Sequence, residues 1–217
     1  MSSSDRVREY FEREAVRFDA IYEPRKPMHQ RAVDRLFRKV VVERFRLITN
    51  LAPFPGQWTA LDVGCGSGRY AIALAQSGAE RVLGVDVASS MIDLGRAQAK
   101  EVGLSERCEF RHLNFIDFDG EEQFDVVVAT GYFDYLDDPV PHLQKMLAHC
   151  RGRIFASIPK RWEPRVPVRK TRFALARGYV RFYSKPDARS LWREAGVPDE
   201  RASLIDLGRD WILVTRP

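Results

Sequence analysis

Gly64, Gly66 and Gly68 alternate with small residues in LDVGCGSGRY, residues 61–70, and carboxylates flank them. Asp62 stands two residues before the first glycine and Asp86 stands 22 residues after it. Glycines between a strand and a helix let the backbone turn tightly and let a ligand approach with no Cβ in the way. A carboxylate ending the next strand, at this distance, has acceptor oxygens for both hydroxyls of a ribose. Together these residue types point to a nucleoside-like ligand. Taken singly, the loop also reads as a bare tight turn and Asp86 as a helix cap.

The spacing narrows the ligand. A dinucleotide fingerprint runs G-x-G-x-x-G and a phosphate-cradling P-loop ends in G-K-[ST]. Here the pattern is G-x-G-x-G, followed by Arg69 and Tyr70. The surrounding charge is also wrong for polyphosphate: residues 51–150 carry 7 Lys and Arg against 15 Asp and Glu. The basic residues concentrate elsewhere, with 10 Lys and Arg against 1 Glu in residues 151–181.

The elements that must position these residues follow from periodicity. Residues 58–63, 81–86, 108–114, 124–130 and 152–159 are short apolar runs that read as strands. Helical patterns fall between most of them, over residues 69–77, 89–102 and 139–149. This alternation predicts a doubly wound α/β fold with a mostly parallel seven-stranded sheet. Ser184 and Asp187 mark a capped helix, and residues 201–217 read as an antiparallel closing hairpin. Two amphipathic helices precede the core, on Val7 to Tyr22 and Val33 to Ile48. The chain is expected to be a single domain over 1–217. Residues 1–50 would form a helical cap, 58–159 a ligand-binding core, 160–183 a basic insertion and 184–217 the closing helix and hairpin.

Composition sets further bounds. The 217 residues are 45% hydrophobic and 30% charged, as in a folded soluble chain. No apolar run reaches the roughly 20 residues of a membrane-spanning helix. The start, MSSSDRVREY, runs straight into charge and does not read as a signal peptide. Cys65, Cys108 and Cys150 are odd in number and far apart, which fits reduced thiols in the cytoplasm. No metal site is expected from them.

At three motifs the chain resembles the class I S-adenosylmethionine-dependent methyltransferases. They are LDVGCGSG, GVDVASSMIDLGRAQA and FDVVVATGYFDYLDDP, and the likeness extends from Trp58 to Pro159. The two-helix start and the tail are loosely similar to the magnesium-protoporphyrin and ubiquinone-pathway O-methyltransferases. The resemblance implies S-adenosyl-L-methionine as cofactor. Gly64, Gly66 and Gly68, with Cys65 between them, would line its methionine part, and Asp62 would help hold the amino group. Asp86 would take the ribose hydroxyls, and Val87 and Met91 would pack on the adenine. Asn114 would accept from the adenine amine, with Asp117 as the rival if the register moves by three, and Phe115 would flank the ring. Thr130 and Gly131 would expose backbone to the cofactor.

The implied activity is methyl transfer to a small-molecule acceptor, anionic or lipid-like. The alternative is a protein that binds the cofactor without turnover. A dehydrogenase is disfavoured by the glycine spacing. Such a transfer is an in-line displacement, so the protein mainly aligns the reactants. A base is needed only if the acceptor must lose a proton. Tyr132, Phe133 and Tyr135 are candidates for the pocket wall. Tyr132 and Asp134 are the candidate catalytic residues, with Asp134 to orient or deprotonate the acceptor. Asp137, Asp138 and Pro139 also read simply as a helix start. His142 and His149 read as solvated or capping residues, and Tyr22 and His29 as minor candidates. The loop lacks the N-P-P-[YFW] signature of many adenine and glutamine N-methyltransferases, and no sequence-specific nucleic-acid partner is expected. In the basic segment, Arg169 and Arg172 would meet an anionic substrate. The same segment also reads as a weak contact with an anionic membrane surface, or as a solvated face.

Overall fold

The structure, a computed structural model, describes residues 8, 9, 12, 41–161 and 180–216. Seven strands form one sheet in the order β3-β2-β1-β4-β5-β7-β6. They are β1 (Thr59–Val63), β2 (Arg81–Asp86), β3 (Cys108–His112), β4 (Phe124–Ala129), β5 (Cys150–Pro159), β6 (Ala202–Asp206) and β7 (Asp210–Thr215). The first five pair in parallel, and β7 runs antiparallel to both β5 and β6. The expected doubly wound sheet with a closing hairpin is therefore present. The chain order reverses between β1 and β4, so a crevice opens at the carboxyl ends of these two strands.

Period-two alternation explains why the sheet is covered on both faces. Leu61 and Val63 of β1 and Val127 of β4 share one apolar layer with Leu143 and Met146 of helix α4 (Val140–Ala148). Leu191 and Trp192 of helix α5 (Lys185–Glu194) complete that layer. The alternate residues Ala60, Val126 and Val128 join the opposite layer. There they meet Leu74 of helix α2 (Arg69–Gln76), Ile92 of helix α3 (Ser89–Glu101) and Ile48 of helix α1 (residues 41–51). β4 is buried along its whole length, as its central place requires.

Local signals set the element ends. β3 was expected to reach Asn114 but stops at His112, because the Phe115–Asp117 turn begins there, with Asp117 N donating to Asn114 O over 2.9 Å. Of the expected first helix, Arg8, Glu9 and Glu12 are described and helical. Tyr22, His29, Arg169 and Arg172 lie outside the described residues. The three cysteines are free. No helix among the described residues is long and apolar enough to cross a membrane.

The capping box at α5 is complete. Asp187 N donates to Ser184 Oγ at 3.3 Å, and Ser184 N donates to Asp187 Oδ2 at 2.8 Å. Replacing Ser184 by Ala should remove about 1 kcal/mol of stability. Chemical unfolding checks this, and Tm should fall by about 2–4 °C in a chain of this size. An unchanged Tm would contradict the cap.

Candidate functional site

A cavity of about 1030 Å³ lies at the carboxyl ends of β1, β2 and β4. Its wall brings together Gly64, Cys65 and Gly66 after β1, Asp86 and Val87 at the end of β2, and Met91 in the first turn of α3. Asn114 and Phe115 enter it after β3, and Thr130, Tyr132 and Tyr135 after β4. Residues far apart in sequence thus meet where the parallel strands end. Asp62, Gly68, Asp117 and Asp134 are not on this wall.

Asp86 joins the two loops. Its Oδ2 accepts from Gly66 N at 2.9 Å, and its Oδ1 accepts from Ala88 N at 2.9 Å. The Val87 N–H also acts on this carboxylate, and an ionised carboxylate has about four lone-pair sites, so acceptor capacity remains for a further donor. Burial raises the Asp86 pKa, while the N–H donors of Ala88 and Gly66 pull it back.

The three glycines of the loop serve three purposes. Gly66, at φ 53°, faces open space, and no atom would obstruct a Cβ within 4 Å. Its left-handed backbone conformation is what requires glycine. Gly64 lies under Tyr132, whose Cδ2 would be 2.7 Å from an added Cβ. Gly68 turns away from the cavity towards Phe110, whose ring would come within 2.6 Å of a Cβ. The third glycine thus lets the helix pack closely on the sheet.

Asp62 is buried behind the loop, and its Oδ2 accepts from Ala71 N at 3.1 Å. Its Oδ1 is buried with no hydrogen-bond partner among the described residues. Burial pushes its pKa up to about 7, the Ala71 N–H opposes this, and the nearby Asp86 charge adds to the rise. An orphaned, buried carboxylate oxygen fits a ligand that carries a cationic amino group. The residues present therefore suit an amino-acid-bearing nucleoside.

The rim after β4 differs from expectation. Asp134 is buried, and its backbone O accepts from Arg181 N at 2.7 Å. Asp138 Oδ1 receives Val140 N at 3.3 Å, so it serves the start of α4. His142, read from sequence as a solvated or capping residue, is instead half-buried on the cavity wall. Its Nδ1 lies 2.7 Å from the Tyr132 hydroxyl. His149 is the capping residue of α4, and its Nδ1 lies 2.8 Å from Glu122 O. Both ends of the basic segment attach near this rim. Arg161 N donates to Tyr183 O at 2.7 Å, and Tyr183 Oη donates to Phe133 O at 3.2 Å.

Arg44 was missed by sequence reasoning. It reaches the cavity from α1 and donates to Tyr70 Oη (3.2 Å), Ser157 Oγ (3.3 Å) and Asp210 Oδ2 (3.4 Å). Ser157 Oγ in turn accepts from Gly131 N at 2.7 Å. One signal was available: Arg44 is four residues from both Val40 and Ile48, so it places a charge on the apolar stripe of its helix.

Comparison with known proteins finds a matching domain family and neighbours of the same fold. Residues 60–153 match the family described as "Methyltransferase domain". The ubiquinone biosynthesis O-methyltransferase of Roseobacter denitrificans is 32% identical over 122 residues, covering 54% of this chain and 48% of that protein. The chain spans about half or less of the length of the curated relatives it matches. The magnesium protoporphyrin IX methyltransferase of Synechocystis, solved with bound S-adenosylhomocysteine, superposes with a TM-score of 0.77 at 20% identity over 100% of both chains. The geranyl diphosphate C-methyltransferase of Streptomyces coelicolor gives a TM-score of 0.70 at 14% identity, over 99% of this chain and 97% of that one.

The raised Asp62 pKa predicts a pH effect. An acid whose pKa rises on folding adds stability below its unfolded value of 3.8 and loses it as pH climbs to about 7. Asp62→Asn keeps an acceptor for Ala71 N and is neutral throughout. Thermal unfolding without ligand should therefore show the variant gaining on wild type between about pH 4 and about pH 7. Parallel Tm curves for the two proteins would rule out the raised pKa.

Proposed function

We propose that this chain is a class I S-adenosylmethionine-dependent methyltransferase that moves the methyl group of S-adenosylmethionine to a small-molecule acceptor. The observation that carries the reading is the Asp86 carboxylate, fixed by Gly66 N and Ala88 N in the cavity wall with acceptor capacity left over. That capacity serves the ribose hydroxyls. Gly64, Cys65 and Gly66 pass beside the methionine portion, with Asp62 behind them towards its amino group. The Arg44 guanidinium, on the same wall, complements its carboxylate. Val87, Met91 and Phe115 enclose the adenine, and the Asn114 side chain accepts from its amine.

When bound, the sulfonium cofactor supplies the electrophilic methyl group. The protein's share is to align the acceptor and exclude water. The cavity of about 1030 Å³ reaches from the rim after β4 along α2 and α3 as far as Gln76 and Val102. The acceptor side is the rim of Tyr132, Tyr135 and His142.

The basic segment supports an anionic or lipid-like acceptor, since both its ends attach near this rim and arginine suits carboxylate or phosphate. Arg169 and Arg172 are the residues we assign to that contact, and a weak contact with an anionic membrane surface would use the same charges. The cytoplasm fits the free thiols. A cofactor-binding protein without turnover is not favoured by the relatives found.

Calorimetry with S-adenosylhomocysteine tests the reading. Wild type should bind, Asp86→Asn should lose about tenfold in affinity, and Asp86→Ala should lose more, given about 1.5–3 kcal/mol for a hydrogen bond to a charged group. No binding by wild type, or unchanged affinity in folded variants, would overturn it.

A further inference from the structure

The cofactor reading leaves one pair on the cavity wall without a task. Tyr132 Oη lies 2.7 Å from His142 Nδ1, and both side chains border the cavity. Their rings meet edge to face at 5.5 Å. Tyr132 is held on its other sides as well. It lies against Gly64, and the rings of Phe115 and Phe133 meet it edge to face at 6.5 and 5.9 Å. The phenol is thus fixed over the glycine loop, beside the methionine end of the proposed cofactor position. The imidazole reaches it from the first turn of α4.

We propose that Tyr132 and His142 form a proton relay that accepts the acceptor's proton during methyl transfer, with Tyr132 touching the acceptor and His142 acting through Tyr132. This rests on the methyl-transfer reading above. As the acceptor oxygen bonds to the methyl carbon, the carbon–sulfur bond breaks and its electron pair stays on sulfur. The acceptor's O–H proton passes to Tyr132 Oη while the phenol's own proton passes to His142 Nδ1. The positive charge lost from sulfur ends on the imidazolium, which returns its proton to solvent after turnover.

The surroundings set the resting state. Burial raises the phenol pKa far above its ordinary value, and the Asp86 charge adds to this. Burial lowers the imidazole pKa, with Asp138 opposing and Lys145 assisting. The pair therefore rests neutral: the phenol donates and Nδ1 accepts, which places the ring proton on Nε2. Asp138 is placed to favour the imidazolium once it forms. Asp137, also on the rim, faces the same space, while Lys145 Nζ is held by Ile116 O at 2.6 Å. Such a relay matters for an acceptor whose nucleophilic oxygen carries a proton at neutral pH: a phenol, an enol or an alcohol. An ionised carboxylate needs none.

The test uses the full chain with S-adenosylmethionine. The acceptor panel is 4-hydroxybenzoate, 3,4-dihydroxybenzoate, acetylacetone, geraniol and benzoate, read by S-adenosylhomocysteine release. Turnover of a hydroxyl or enol acceptor is expected. Tyr132→Phe and His142→Gln should each lower kcat by about 10²–10⁴-fold, with acceptor KM and S-adenosylhomocysteine affinity little changed. The acid limb of the wild-type kcat–pH profile should vanish in His142→Gln. A second readout needs no turnover: nitrogen NMR of His142 in the S-adenosylhomocysteine complex. It should show a neutral ring protonated at Nε2 near pH ~7, and Tyr132→Phe should shift its titration. Overturning results are wild-type kcat in either variant, turnover of benzoate alone, no turnover of the panel despite cofactor binding, or identical His142 titration in wild type and Tyr132→Phe. Failure of wild type to bind S-adenosylhomocysteine would instead remove the methyl-transfer reading itself.

Discussion

The hydrogen bond from Gly66 N to the Asp86 carboxylate is the constraint on which the site depends. It joins the loop after β1 to the end of β2, so the glycine turn and the acid act as one unit. Parallel pairing sets this contact up, because Val63 is in register with Val85, one residue before Asp86. Val85 O then receives both Gly64 N and Cys65 N, which closes the turn against β2. The two apolar layers hold the strands at this register, and one residue of slip would turn each strand's core residues to the opposite face.

This arrangement costs the ligand-free protein something. Asp62 and Asp86 are both buried enough for their pKa values to rise, and Asp62 keeps an orphaned oxygen. Burying carboxylates opposes folding unless charge or hydrogen bonds compensate. In the proposed reading, a cofactor with a cationic amino group and a sulfonium would supply that compensation, and its ribose hydroxyls would supply further donors. A perturbed acid on a cleft wall, with a second buried just behind it, is what a binding function leads one to expect. Around this acidic floor, Arg44 brings a guanidinium that is itself tied to Tyr70, Ser157 and Asp210.

The parts legible in the sequence were those with a local signature. Short apolar runs located the strands, Ser184 and Asp187 located a cap, and the glycine spacing with Asp86 located the crevice. What escaped depends on tertiary packing. Gly68 looks like a ligand contact by spacing, yet its missing Cβ makes room for Phe110. Asp134 reads as a candidate base on the rim loop, yet the loop folds so that Asp134 is buried and off the cavity wall. His142 looks like one polar residue on a helix surface. Only the turn between β4 and α4 brings Tyr132 onto its Nδ1, ten residues away. Arg44 had a faint signal as a charge on an apolar stripe, and its partners come from 26, 113 and 166 residues further along.

The central claim is that Asp86 and the glycine loop form a cradle for S-adenosylmethionine. A crystal structure of the complex with S-adenosylhomocysteine tests it most directly. The account predicts both ribose hydroxyls on Asp86, the methionine portion along Gly64 to Gly66, and the sulfur facing the Tyr132 side of the cavity. A ligand bound with its ribose away from Asp86, or a structure in which the cradle stays closed to it, would contradict the account.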